Sequence, residues 1–152
     1  MVDDGFRLNQ PFVGIATFLR SPMCDNLDTL DTGIAVMGVP TDEGSPFMAG
    51  SRMGPRALRE HSLRFGQGGK GYYDPEHRKQ YLETEMSQKM ITDLGDVDIW
   101  PADIKQTFDN TTEMTRKARE GCGLLVVMGG DHAITYPVVR AIEEDIYVIH
   151  FD

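Results

Sequence analysis

Cysteine is scarce in this chain of 152 residues: Cys24 and Cys122 alone are too few for a disulfide framework. No apolar run approaches the roughly 20 residues needed to span a bilayer, and no charged-then-apolar leader opens the sequence. The expectation is a soluble, cytoplasmic protein without a membrane partner. Basic residues are outnumbered, 15 Lys and Arg against 24 Asp and Glu, for a formal charge of −9. Nucleic acids and anionic membrane surfaces require basic patches, so both are excluded as expected partners, whereas a cationic ligand is compatible. Periodicity is missing from the opening stretch, which holds Pro11 and Pro22. Residues 1–32 therefore read as an irregular N-terminal extension and 33–152 as the N-terminal portion of one α/β domain.

What is present in quantity is the buried-strand pattern. Leu124 to Met128 and Ile146 to Phe151 are almost unbroken apolar runs, the signature of parallel strands covered on both faces. Ile134, Val138, Val139 and Ile142 between them fall near the helical repeat, so Ile134–Glu143 reads as a crossover helix. A right-handed crossover brings the carboxyl ends of both strands to one rim, where open α/β sheets bind ligands. His132 just past the first strand and Asp152 at the end of the second are then able to reach a shared ion or ion pair. Gly129 and Gly130 supply the tight turn between strand and histidine. Asp131 has a plainer reading as the cap of the following helix.

Gly33 to Val39 reads as the first strand, stopped by Pro40, and Pro55 as the opening of a helix running to about His61. Gly66-Gln67-Gly68-Gly69-Lys70-Gly71 satisfies the dinucleotide-loop spacing, but a helix precedes it instead of a strand, so it reads as a plain loop. Glu76–Gln88 is charged and reads as a surface excursion. Ile91–Asp98 gives a second strand. A third helix starts near Pro101–Asp103 with Asp103 as N-cap, Ile104, Phe108 and Ala118 as its buried stripe, and Gly121 as its C′ residue. Cys122 reads as a small packed residue.

Gly129-Gly130-Asp131-His132-Ala133-Ile134-Thr135-Tyr136-Pro137 resembles the first metal-ligand motif of the ureohydrolases, the arginase and agmatinase family. His150-Phe151-Asp152 resembles the start of the second, and Gly14 to Pro22 resembles the N-terminal segment of the agmatinase-like branch. One departure is Ala133, where the family often has serine.

The resemblance implies an arginase-like three-layer αβα fold with a mainly parallel sheet, the chain stopping part-way through the domain. It implies hydrolysis of a small cationic guanidino compound, whether agmatine-like, a guanidino acid or guanidine, to urea plus an amine. The cofactor implied is a pair of divalent metal ions, Mn2+ foremost with Ni2+ or another ion left open. His132 would bind one ion and Asp152 would bridge both. His150 would be a buried, hydrogen-bonded non-ligand. The remaining ligands and the acid that protonates the amine would follow Asp152, so no catalytic residue is assignable within the chain. A homo-oligomer, trimer or hexamer, is also implied. The alternative is a non-catalytic truncated relative serving as a structural subunit.

Overall fold

The computed structural model describes residues 13–65 and 70–151. Its elements are β1 (Thr32–Val39), α1 (Gly54–Ser62), β2 (Tyr72–Asp74), β3 (Lys79–Tyr81), α2 (Glu83–Ser87), β4 (Ile91–Asp96), α3 (Ile104–Glu120), β5 (Cys122–Gly129) and α4 (Thr135–Val139). The main sheet is parallel and ordered β4-β1-β5. The strand in its middle is therefore the one with the most continuous burial. Val36, Met37 and Val39 of β1 are fully enclosed, each contributing about 1.5–3 kcal/mol of apolar burial.

Alternation along β1 feeds two cores. Ala35, Met37 and Val39 pack with Leu94 and Ala118 on the α3 side. Val36 packs with Ile91 and Met128 on the other, joined by Phe18 and Leu19 from the N-terminal stretch. Helices on both faces of a parallel sheet give the three-layer αβα architecture. The described part of the N-terminal stretch lies along β4, where Asp93 N–H donates to Pro22 O at 2.8 Å and Cys24 N–H to Asp93 O at 2.9 Å. None of the described helices is long and apolar enough to cross a membrane.

Pro55 does open α1, and the Asp103 carboxylate does cap α3, accepting the Gln106 N–H at 3.0 Å. The buried face of α3 differs from expectation. Ile104 is exposed and Phe108 half-buried, while Thr107, Thr111, Thr112 and Thr115 are buried with Ala118. Thr111 and Thr115 donate their hydroxyls to carbonyls four residues back, at 2.8 and 2.7 Å, which leaves their methyl groups as the packing surface. Gly121 has φ −107°, outside the left-handed region of a C′ glycine. Its need is space, because a Cβ there would collide with the Leu30 carbonyl. The charged excursion holds structure that its composition concealed: β3, which pairs antiparallel with β2 just before the excursion, and then α2.

Two further expectations are corrected. β5 is not buried on both faces: Leu124 and Val126 are 55% and 38% exposed, because β5 is an edge strand among the described residues and α1 covers only the end of that face. Ile146–Phe151 is not a strand. Its apolar side chains are exposed and, among the described residues, no ladder holds it, and a strand needs a neighbour to pair its amides. The crossover helix is also shorter than expected, with α4 ending at Val139.

Candidate functional site

All three main-sheet strands point the same way, so the loops leaving Val39, Asp96 and Gly129 share one rim. Val39 lies opposite Gly129, and Gly38 lies opposite both Met128 and Asp96. Beyond β5 the chain turns at Gly130, whose φ of +69° and whose distances of 2.5 Å from a would-be Cβ to Val39 O and 2.7 Å to Thr41 O admit only glycine. Asp131 follows with one carboxylate oxygen accepting the Ala133 N–H at 2.9 Å, the capping role that its position suggested. Its other oxygen, Oδ2, is buried and has no hydrogen-bond partner.

His132 opens the next helical turn with its ring exposed at the rim. The ring stacks on that of His150, centroids 5.0 Å apart and planes 16° from parallel. His150 is thus exposed and stacked, in place of the buried, hydrogen-bonded residue expected. The reason is the missing strand: without a ladder and a covering layer, residues 146–151 expose both faces. The stack sets His132 beside His150, which the resemblance made a non-ligand.

The loop from β1 to α1 forms the next wall. Asp42 is buried within it, its side chain wholly inaccessible. Its Oδ2 accepts the Gly50 N–H at 2.6 Å and the Arg52 N–H at 3.3 Å, and its Oδ1 accepts Arg52 Nε at 2.6 Å. The Arg52 side chain first, then the Gly50 amide, hold the Asp42 carboxyl down to about 2 from 3.8. On either side of this pair the loop touches β5's exit: Asp131 N–H donates to Thr41 O at 3.0 Å and Gly130 N–H to Ser51 O at 3.3 Å.

At the β4 end, Arg59 of α1 reaches across the rim. Its guanidinium donates to Asp93 at 2.8 and 3.0 Å, to Asp96 at 2.6 Å and to Gly95 O at 2.7 Å. Burial opposes the Arg59 charge, but the hydrogen bonds it donates to Asp93 and then Asp96 outweigh it, so its pKa is raised. Asp93 also accepts the Phe18 N–H at 2.7 Å, tying the N-terminal stretch to the same knot. Sequence reading found neither Asp42–Arg52 nor Arg59–Asp93. The latter pair is separated by 34 positions, and no local pattern joins such distant residues.

Of the two residues singled out as ligands, His132 stands at the rim, and Asp152 lies outside the described residues. Among the described residues no group of three or more His, Cys, Asp or Glu is arranged to hold a metal. The donor chemistry at the rim fits a hard divalent ion in type, with an accessible imidazole and a carboxylate oxygen lacking a donor. The dinucleotide-like loop is not a site: Gly66–Gly69 lie outside the described residues, and Gly71 leads into β2.

Comparison with known proteins agrees with this architecture. The sequence model of the arginase family matches residues 32–152. A guanidinopropionase of Pseudomonas aeruginosa is 30% identical over 143 residues, covering 93% of this chain and 42% of its own. The mitochondrial guanidino acid hydrolase of Homo sapiens is 32% identical, covering 85% of this chain and 34% of its own. A solved structure of a hypothetical agmatinase from Burkholderia thailandensis superposes with a TM-score of 0.68 at 25% identity, covering 86% of this chain and 38% of that one. The chain therefore spans well under half the length of these relatives.

Proposed function

Starting from a chain that belongs to the arginase family, on its agmatinase-like branch, we propose that the complete protein hydrolyses a guanidino compound to urea and an amine. The substrate class is a small guanidino cation, with agmatine, a guanidino acid or guanidine itself as members. A guanidinium carbon is a poor electrophile because its charge is spread over three nitrogens. A pair of divalent ions, when bound, supplies a water acidified enough to act as nucleophile near neutral pH.

Within this chain His132 would hold the metal centre through its imidazole, and Asp152 would contribute its carboxylate to it. The observation that carries this reading is the exposed His132 imidazole at the carboxyl-end rim, directly after the Gly130 turn and after Asp131, whose buried Oδ2 has no hydrogen-bond partner. His132 is free for the role, since among the described residues its ring accepts and donates no hydrogen bond. The rim orients it: the Gly130 turn and the Asp131 cap fix the backbone on its N-terminal side.

The test is urea release by the complete, Mn2+-supplemented protein from a panel of guanidino compounds, alongside His132→Ala. The expected result is release from at least one compound and its loss in the variant. Equal release by the variant would refute the role given to His132. No release from any compound by the metal-loaded protein would favour the structural-subunit alternative.

A further inference from the structure

We propose that Asp42 is a positioning residue for the rim, and that the Asp42–Arg52 clasp holds His132 where it can bind a metal. The inference rests on the role proposed for His132, and it assigns a task to a loop that otherwise has none.

The loop from Thr41 to Met53 leaves β1 at the rim and carries Phe47 and Met48 on its outer turn, 91% and 75% exposed. Such a loop has little apolar packing to hold it. Its base is closed by one carboxylate. Asp42 gathers three donors from residues 50 and 52, two backbone amides and Arg52 Nε, and Ser45 N–H returns to Asp42 O at 3.0 Å.

The residues flanking the clasp, Thr41 and Ser51, accept the amides of Asp131 and Gly130. The two jaws therefore close on the dipeptide immediately before His132. The fit is tight: a Cβ on Gly44 would stand 2.9 Å from Asp131 Oδ2 and from Ala133 Cβ, and one on Gly54 would stand 2.5 Å from Gly129 O. A loop that merely covered the rim would not need to accept consecutive amides from the residues leading into the ligand. If the clasp opens, the jaws separate, the Gly130 and Asp131 amides lose their acceptors, and the imidazole loses its fixed aim. Residues that orient a metal ligand in this way commonly change metal affinity about 10- to 100-fold when replaced.

The experiment compares the complete protein with Asp42→Asn, which keeps the shape but loses the charge and one acceptor oxygen. Arg52→Lys is made in parallel; its side chain is 48% exposed, and it carries the test if Asp42→Asn does not fold. Two quantities are read below the melting temperature: Mn2+ affinity by calorimetric titration, and hydrogen exchange at the Gly130 and Asp131 amides of the metal-free protein. The expected result is Mn2+ binding weakened about 10- to 100-fold with faster exchange at both amides. A lower melting temperature with wild-type Mn2+ affinity and wild-type exchange at these amides would overturn the proposal, since it would leave Asp42 a stabiliser of its own loop. His132→Ala separates the two readings. If it loses Mn2+ affinity while Asp42→Asn keeps it, only the clasp's role fails. If His132→Ala binds Mn2+ as tightly as wild type, the role of His132 fails and the clasp's falls with it.

Discussion

Replacing Arg59 with methionine keeps most of the aliphatic stem and removes the guanidinium. The structure then leaves Asp93, whose side chain is only 1% exposed, with the Phe18 and Gly95 amides as its remaining donors, at 2.7 and 2.9 Å. Two of its four hydrogen bonds go, both charge-assisted, and the compensating cation goes with them. Breaking a buried ion pair from one side costs about 3–5 kcal/mol. With a urea m-value near 2 kcal/mol/M, the midpoint of unfolding should fall by about 1.5–2.5 M. The assay is equilibrium urea denaturation of the complete protein followed by far-ultraviolet circular dichroism. Arg59→Lys should fall between, because an ammonium keeps the charge but cannot reach Asp93, Asp96 and the Gly95 carbonyl in one fork. A loss below about 1 kcal/mol for Arg59→Met would refute the reasoning, since it would mean that Asp93 is rehydrated at little cost.

Two other perturbations are informative. Gly130→Ala should lower stability by about 2 kcal/mol or more, because left-handed strain adds to contact with two backbone carbonyls that cannot yield; Gly50→Ala, where φ is +143° but nothing lies within 4 Å, should cost less, and thermal melts of the pair decide it. The Asp42 carboxyl, held at about 2 against an ordinary 3.8, stabilises the fold above pH 4, and that contribution disappears as pH falls from 4 toward 2. The melting-temperature gap between wild type and Asp42→Asn should therefore narrow across that window, and a constant gap would contradict it.

The strands and the rim were legible because their signals are local. Apolar runs marked β1, β4 and β5, Pro55 marked the start of α1, and Asp103 marked the start of α3. The rest depended on information that composition does not carry. Thr107, Thr111 and Thr115 look polar on paper, yet two of these hydroxyls are consumed by the helix's own carbonyls, so a reading that ranks Ile104 above threonine picks the wrong face. Gly121 serves a close approach to Leu30 instead of a left-handed turn. His132 stands out in the sequence through the family-like run Gly129–Pro137 that follows a strand, whereas Asp42 and Arg59 act through partners brought near only by the folded sheet. His150 was misplaced for a related reason, since its burial required a strand that no described neighbour supports.

The exposed margin of β5 bears on what could be built beside the rim. Leu124 and Val126 lie exposed on a strand that, among the described residues, pairs with β1 alone. An extended segment that paired along that seam would fix how far its own side chains stand from His132. A slip of one residue along the seam would turn each arriving side chain to the opposite face. The dimensions of a site built there would be governed by alignment along an edge as much as by the identity of its ligands, and two chains with the same donors could differ in reach through that alignment alone.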